Sequence, residues 1–349
     1  EFPIQCELYS AAFSPDGRWL AAGGGIPPNP RLMAWNLEEP DVPPRILEQS
    51  ARVITLAFRP TFKSTFAAGD VNGHVQFWDL TKGVGLEADG QEITHKKQVR
   101  VVSFSEDGRQ VLVGGEDGIA QLWDVDGRFP VGHRLMHHGE VRGGAIVQKE
   151  QRIVTVDFAD GIRIWDLRPS VPAPQVFSHP GPVWDATFNA MGDRILTCCP
   201  ADGEAPGSGW VWNLKDGSAI PLKHEGDVMV ARFRPNSSDE AVTCGNDGVV
   251  YFWNARTGRR LGPSMSHDQR LIYSGAFDPT GNFFAFAGQG GTIRVSTSNP
   301  STGLFEESRK LNQPFYYSFI WHLRFGPRSG QLFSDGGSAV RVWDLEQGK

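Results

Sequence analysis

One short signature recurs along this chain at nearly even spacing, and it constrains the fold more than any other feature. Trp followed by Asp or Asn occurs eight times, and seven of these pairs fall in register with gaps of 43, 45, 42, 47, 41 and 90 residues. The seven begin at Trp35, Trp78, Trp123, Trp165, Trp212, Trp253 and Trp343. Since the last gap is about twice the others, a unit with a degenerate signature is expected at Ser296 and Thr297.

Each unit repeats one pattern of short apolar stretches and tight turns. A first stretch ends in an aromatic residue and a turn, as in "VSFSEDG" and "GAFDPTG", and a small apolar stretch such as "QVLVGG" follows. Asp-Gly pairs often precede the stretch that carries the tryptophan, and this chemistry is typical of β-hairpins. Three strands and a less regular fourth, repeated at this spacing, predict the blades of a β-propeller.

The repeat count predicts an all-β chain with one domain over residues 1–349 and eight four-stranded blades. Seven blades and a partial unit is the alternative. The units are expected to end near Asn36, Asp79, Asp124, Asp166, Asn213, Asn254, Thr297 and Asp344.

Composition narrows the class of partner. The net charge is −6 and the pI is near 5.9, which argues against a broad surface for nucleic acid. The four cysteines form no CxxC spacing, which favours a reducing, cytoplasmic compartment. The sequence has no run of about 18 apolar residues, so no membrane span is expected.

On these residues the chain resembles the WD40 β-propeller family over essentially its whole length. The resemblance implies a structural tetrad of His, Ser or Thr, Asp and Trp in each blade. Two units match it fully, with His137, Thr155, Asp160 and Trp165 in one and His224, Thr243, Asp247 and Trp253 in the other. It also implies that an N-terminal strand, about residues 2–6, closes the last blade.

The recurring histidines invite a metal or catalytic interpretation. His95, His137, His179, His224 and His267 are spaced by 42, 42, 45 and 43 residues, which places each in a different blade. We therefore expect them to be structural, and we expect no metal, no cofactor and no enzymatic activity. A propeller enzyme with its active site at the channel mouth is the alternative.

The stretch "SHPGPVWDATFN", residues 178–189, contains the Trp-Asp pair that falls outside the register. Because Trp212 is the structural tryptophan of that unit, Trp184 is surplus to the repeat, and its neighbour Asp185 is interpreted as a coincidence. In related proteins, partner contacts flank the first apolar residue of each inner strand, where a bulge aims side chains at the top face. Those positions predict a partner site at Tyr9, Arg52, Arg100, Arg142, Trp184, Met229, Tyr273, Phe319 and Trp321.

The types at these positions are those enriched at interfaces. They predict an aromatic arc and an arginine arc, with Glu116 and Glu140 as neutralising partners for the arginines. The insertion at 200–210 and the aromatics Phe315, Tyr316 and Tyr317 are expected to extend the aromatic arc. Packing of these aromatics between blades is the alternative.

These features predict a scaffold or sensor module that binds a protein or peptide, including one with an acidic or phosphorylated segment. Binding of polyanions or phosphate headgroups through the arginines is a second possibility. The linkers between units resemble WD40 regions of bacterial multidomain proteins attached to a kinase or NTPase module, and the chain begins at Glu1 without Met. We therefore expect it to be part of a larger protein.

Overall fold

The structure is a computed structural model, and its residues group into two compact units. Unit 1 comprises Glu1–Gln5 and Val183–Lys349, and unit 2 comprises Cys6–Pro182. The structure describes residues 2–3, 8–25, 31–82, 84–85, 93–147, 151–159, 161–168, 174–179, 181–200, 207–268, 271–312, 319–328, 330–336 and 339–345.

Unit 2 contains four antiparallel sheets in chain order. The first sheet is β2 (Leu8–Phe13), β3 (Trp19–Gly24), β4 (Arg31–Asn36) and β5 (Arg45–Leu47). The second is β6 (Val53–Phe58), β7 (Thr65–Asp70), β8 (His74–Asp79) and an outer strand in two pieces, β9 (Val84–Gly85) and β10 (Ile93–Thr94). The third is β11 (Val99–Phe104), β12 (Gln110–Gly115), β13 (Ile119–Asp124) and β14 (Pro130–Met136). The fourth is β15 (Val141–Val147), β16 (Arg152–Asp157), β17 (Gly161–Asp166) and β18 (Gln175–Ser178).

Unit 1 repeats this plan. Its first sheet is β19 (Asp185–Phe188), β20 (Arg194–Cys199), β21 (Ser208–Asn213) and β22 (Ala219–Lys223). The next is β23 (Val228–Phe233), β24 (Glu240–Gly245), β25 (Val249–Asn254) and the divided outer strand β26 (Arg259–Arg260) and β27 (Met265–Ser266). The third is β28 (Ile272–Phe277), β29 (Phe283–Gly288), β30 (Thr292–Ser298) and β31 (Phe305–Asn312). The last is β32 (Leu323–Phe325), β33 (Gln331–Gly336), β34 (Ala339–Asp344) and β1 (Phe2–Pro3).

The second strand of each sheet is almost wholly buried, which explains its small, continuous apolar sequence. All six residues of β3 and of β7 are buried, as are five of the six in β12 and in β24. Sheets covered on both faces lose the alternation of apolar and polar residues. The cores of both units therefore lie between successive sheets, as in the cluster around Phe66 in unit 2 and the cluster around Phe284 in unit 1.

The turns follow the chemistry of the Asp-Gly pairs. Gly118 has a φ of 73°, a left-handed conformation that glycine adopts without steric cost, and Asp117 Oδ1 accepts a hydrogen bond of 3.1 Å from the Ile119 amide. Gly248 has the same φ of 73° after Asp247. These turns return the chain into the strand that carries the tryptophan.

The N-terminal strand adds to the last sheet of unit 1. Phe2 pairs with Val340 and Pro3 with Ala339 in antiparallel register. Residues 4–6 of the expected closing strand lie outside the described residues.

The predicted fold class is confirmed. The chain is an eight-bladed β-propeller with four-stranded blades, four of them in each unit, and none of the described residues is helical. The preference for eight blades over seven and a partial unit was right, because Ser296 and Thr297 lie in β30 and pair with Phe284 and Phe283 as the other signatures do.

Candidate functional site

The histidines at the regular spacing take part in hydrogen-bonded chains inside single blades. His224 Nε2 lies 2.6 Å from Thr243 Oγ1, and its Nδ1 lies 3.1 Å from Asp247 Oδ2. Trp253 Nε1 donates to the same threonine oxygen at 2.7 Å. Four polar side chains are thus satisfied within one sheet of unit 1, which stabilises the blade.

A similar chain forms in the last blade of unit 2. His137 Nε2 lies 2.6 Å from Thr155 Oγ1, to which Trp165 Nε1 donates at 2.8 Å. Asp160, the fourth expected member, lies outside the described residues. Burial, with a contribution from the charge of Arg163, lowers the pKa of His137 to about 4. This histidine is therefore neutral at pH 7, which suits a structural role.

Other blades contain only part of this series of hydrogen bonds. His95 Nδ1 lies 3.2 Å from Asp117 Oδ1, but Val113 offers no hydroxyl, and Trp123 Nε1 has no partner among the described residues. In unit 1, Trp343 Nε1 donates to Ser334 Oγ at 2.9 Å although that blade lacks the histidine. The tetrads differ from blade to blade and form no shared site.

Several of the candidate partner residues lie at irregularities of the first strands. In six of the eight blades the register of the first strand shifts around the residue that follows its first apolar position. The shifted residues are Tyr9, Ile54, Arg100, Arg142, Met229 and Tyr273. A bulge of this kind re-aims a side chain away from the sheet face. Trp184 and Trp321 instead lie just before β19 and β32, whose described residues pair without a shift.

Three aromatic side chains of unit 1 form a stacked cluster, here called the aromatic cluster. The ring centroids of Tyr273 and Trp321 lie 4.7 Å apart, those of Phe319 and Trp321 5.6 Å, and those of Tyr273 and Phe319 5.9 Å. Trp321 is 52% exposed and Phe319 is 39% exposed. Stacking of this kind stabilises the rings beyond area burial, yet much of their apolar surface remains in water.

Backbone hydrogen bonds hold this cluster in place. Phe319 forms an isolated antiparallel bridge with Gln289, and the Ile320 amide donates to the Gly288 carbonyl at 3.0 Å. The amides of Trp321 and His322 both donate to Asp335 Oδ1, at 2.9 and 2.8 Å. His322 Nδ1 lies 2.6 Å from Asp335 Oδ2. The buried Asp335 carboxylate therefore fixes the segment that presents Trp321.

Sequence reasoning missed Asp335, although a signal was present. Asp335 lies in β33 at the register of Cys244 in β24 and Ala287 in β29, where the other second strands carry small apolar or weakly polar residues. A carboxylate at a buried position needs hydrogen-bond donors. The stretch "SDG", which contains Asp335, could therefore have predicted a carboxylate that accepts hydrogen bonds from nearby groups.

The two remaining candidates of unit 1 differ in environment. Trp184 is 42% exposed, and its amide donates to the Cys198 carbonyl at 3.0 Å. Met229 is partly buried and packs against the core cluster around Phe284. Trp184 therefore offers a free apolar surface, whereas Met229 contributes mostly to packing, as the alternative interpretation expected.

Asp185, the residue after Trp184, forms an ion pair outside its own repeat unit. Its carboxylate forms an ion pair with Arg232 of the neighbouring sheet, and both side chains are partly buried. The attraction of Asp185 outweighs the effect of burial and raises the pKa of Arg232. Asp185 thus has a partner that its own repeat unit could not reveal.

The candidate arginines of unit 2 are neutralised or stacked. Arg100 Nε donates to Glu116 Oε1 at 3.1 Å, and Arg142 Nη2 lies 2.7 Å from Glu140 Oε2. The Arg52 guanidinium lies over the Tyr9 ring, 4.9 Å from its centroid. Tyr9 therefore contacts Arg52 in unit 2. Its predicted membership of the aromatic arc stays a prediction.

Several expected additions to the site fall on residues that the structure does not describe. Phe315, Tyr316 and Tyr317 are among them, as are residues 201–206 of the insertion. Cys198, Cys199 and Cys244 are buried, and burial raises the pKa of the Cys198 and Cys244 thiols. Among the described residues, no group of three or more His, Cys, Asp or Glu is placed to hold a metal ion. Within the same residues no helix is long and apolar enough to cross a membrane.

Comparisons with known proteins agree with this architecture. The family model "WD domain, G-beta repeat" matches residues 5–25 and 91–124. WD repeat-containing protein 55 of Mus musculus is 27% identical over 304 residues, which cover 84% of this chain and 73% of that protein. The target of rapamycin complex subunit LST8 of Bos taurus is 26% identical over 60% of this chain and 64% of its own length. Nucleoporin Nup43 of Mus musculus is 25% identical over 46% of this chain and 43% of its own length.

A solved structure extends the likeness to the whole fold. The crystal structure of the computationally designed Ika8 protein superposes with a TM-score of 0.75 over 98% of each chain, at 20% identity. At that identity the likeness concerns the fold alone.

Proposed function

We propose that this eight-bladed propeller, a relative of WD-repeat proteins, is a non-enzymatic module that binds a protein segment on the aromatic cluster of unit 1. The observation that carries the proposal is the exposure of Phe319 and Trp321 in a stacked cluster with Tyr273. Contiguous aromatic surface of this kind on a protein exterior usually meets a partner.

The cluster is ordered before any partner arrives, which favours binding. Its backbone is fixed by the Gln289 bridge and by two amide bonds to Asp335. A surface whose side chains are already held loses less conformational entropy when it is covered. Tyr and Trp add large contact area at low entropic cost.

The packing of the rings favours an apolar anchor in the partner. Because the three centroids lie within 4.7–5.9 Å of one another, the rings touch and leave no gap that would enclose a cation. An aliphatic, aromatic or proline side chain can instead lie flat on the exposed faces. Trp184 offers a second apolar contact in the same unit.

We also propose that the partner carries an acidic or phosphorylated flank, which the arginines would bind. Arg100 and Arg142 would have to exchange Glu116 and Glu140 for the new anion. Arg52 keeps its charge stacked on Tyr9. Such an exchange gives selectivity more readily than affinity, since each gained ion pair replaces one already present.

We also propose that the module belongs to a larger protein. The linkers resemble WD40 regions attached to kinase or NTPase modules in bacterial multidomain proteins, which supports a place within a larger cytoplasmic protein. One relative is by its name a subunit of a complex and another is a nucleoporin. These names support a role in protein assembly.

The double replacement Trp184→Ala and Trp321→Ala tests the binding proposal. Proteins captured from a lysate of the source cell would be quantified for the wild type and the variant, and the affinity of the main partner would then be measured. We expect the dissociation constant to rise at least about 30-fold, since truncated hot-spot residues cost about 2 kcal/mol or more.

A matched pair of replacements in unit 2 provides the control. Met136→Ala with Leu167→Ala removes two exposed apolar side chains of unit 2 without touching the aromatic cluster, and it should leave capture unchanged. Both variants should keep the thermal midpoint of the wild type within a few degrees. Unchanged capture by the tryptophan variant, with the fold intact, would contradict the proposal.

A further inference from the structure

Two arginines of unit 1 occupy the same register on its first strands. Arg232 of β23 pairs with Val242, and Arg324 of β32 pairs with Phe333. The sheet between them carries Ala276 at that register, paired with Ala285. The charges of Arg232 and Arg324 act on each other, and the short alanine side chain between them offers no polar group to either.

The two arginines of this pair differ in their partners. Arg232 forms an ion pair with Asp185 and donates to the Ala231 carbonyl at 2.9 Å. Within the described part of the chain, Arg324 makes a single hydrogen bond, from Nη1 to the Leu323 carbonyl at 3.1 Å. The other nearby carboxylate, Asp335, binds His322 and two backbone amides. Among the described residues, Arg324 therefore has no carboxylate within ion-pair distance.

Arg324 is accessible to solvent, yet it is crowded by protein. Burial lowers the pKa of its guanidinium, and the charge of Arg232 adds to the effect. A cation that is reachable but poorly hydrated gains more from an incoming anion than a fully hydrated surface arginine does. The planar guanidinium also offers several donors in a geometry that matches carboxylate and phosphate oxygens.

We propose that Arg324, supported by Arg232, forms an oxyanion-binding site on the first strands of unit 1, distinct from the paired arginines of unit 2. Its ligand is a carboxylate or a phosphate. Two sources share this chemistry: a free small oxyanion, and an acidic side chain of a bound peptide. Trp321 lies three residues before Arg324, about 10 Å along an extended strand. An acidic residue three positions from an apolar anchor would therefore reach the site, and this last point alone rests on the proposed function.

The test uses calorimetric titration of the full chain with two probes at low ionic strength. Inorganic phosphate represents the free oxyanion, and an acetylated, amidated tetraglutamate represents the peptide carboxylate. We expect at least one probe to bind the wild type. Arg324→Met should weaken that binding about 10-fold or more while leaving the thermal midpoint unchanged or raised, because removal of the unpaired charge relieves its repulsion with Arg232.

Two further variants keep the test decisive. Arg168→Met removes an arginine that already has a carboxylate partner and lies outside the proposed sites, and it should leave binding unchanged. Arg324→Lys keeps the charge but loses the bidentate geometry, and it should bind at an intermediate level. Binding of phosphate alone assigns a free oxyanion, and binding of tetraglutamate alone assigns a peptide carboxylate.

Two results would overturn the site: no binding of either probe by the wild type, or equal binding by the folded Arg324→Met or Arg324→Lys variant and the wild type. Failure of the proposed function is distinguishable, because the Trp184→Ala and Trp321→Ala variant should still bind the probe. That variant leaves Arg324 and its carbonyl contact in place.

Discussion

The first strands of the two units present different chemistry at one shared register position. Unit 1 offers Trp184, Met229, Tyr273 and Trp321, of which the tryptophans are exposed. Unit 2 offers Arg100 and Arg142, both at register shifts of their first strands, but each arginine lies against a glutamate of its own blade. The backbone bulge only makes the position available. Whether the side chain there is free to bind depends on the residue that faces it.

The largest effect is expected from removing the carboxylate that fixes the aromatic cluster. Asp335→Ala leaves the amides of Trp321 and His322 without their acceptor, so the free energy of unfolding should fall by about 3 kcal/mol. The counterpart in unit 2, Glu116→Ala, breaks a partly exposed ion pair and should cost less than about 1 kcal/mol. Urea denaturation of both variants compares them, and equal losses would contradict the rigid role of Asp335.

The second prediction concerns pH and two buried histidines of unit 2. Burial lowers the pKa of His137 and of His179 to about 4. Between the unfolded value of about 6.5 and this folded value the unfolded chain binds more protons, so stability is present above pH 6.5 and is lost as the pH falls towards 4.

Each of these histidines should lower the free energy of unfolding by about 2 kcal/mol between pH 7.5 and pH 5. Unfolding free energies measured over this range should fall less steeply in His137→Gln and in His179→Gln, each by the equivalent of about one proton. A slope that neither variant changes would show that other groups carry the acid sensitivity.

The third prediction concerns whether Glu116 and Glu140 prevent the arginines of unit 2 from binding anions. Glu116→Gln with Glu140→Gln should raise the affinity for polyphosphate about 10-fold at low salt and steepen its salt dependence, because the freed guanidinium groups can then release counterions. Binding is followed by fluorescence anisotropy of a labelled polyphosphate across a salt series.

A control with the same change in net charge separates local from overall electrostatics. Glu39→Gln with Glu106→Gln removes two exposed carboxylates of unit 2. If this variant gains as much affinity as the first, the effect is one of total charge, and the contrast between the two units does not rest on the local pairs.

The smallest effect is expected at the contact between Arg52 and the Tyr9 ring in unit 2. Arg52→Lys replaces a planar guanidinium 4.9 Å from the Tyr9 ring centroid by a more strongly hydrated ammonium. The free energy of unfolding should fall by about 0.5 kcal/mol, which a thermal melt resolves as a shift of a degree or two. Lys82→Arg, at an exposed site of unit 2, serves as the reference and should leave the midpoint unchanged.

The repeat made most of the fold predictable. The tryptophan spacing and the Asp-Gly turns are local features, and they identified the eight blades, including the degenerate unit at Ser296. They also separated Trp184 from the structural Trp212, whose Nε1 donates to Thr197 inside its blade at 3.0 Å. The candidate site was predictable only as a set of positions, because register decides which residues can reach solvent.

The pairing of charges was less accessible to sequence reasoning. Arg142 and Glu140 are two residues apart, and Arg100 and Glu116 lie in one hairpin, so their proximity follows from local geometry. Asp185 and Arg232 are 47 residues apart and meet only because their sheets are neighbours. The sequence could not show that pair, nor could it show that Arg324 lacks one.

The sequence by itself therefore determined the number of blades, their strands and the register of each signature, because these depend on interactions within a single unit. The tertiary structure decided which side chains of the first strands are free to bind. It stacked Tyr273, Phe319 and Trp321, it paired Asp185 with Arg232, and among the described residues it left Arg324 without a carboxylate partner. The physical reason is that burial and Coulomb energy depend on distances between groups from different blades. Those distances are fixed only when the sheets pack.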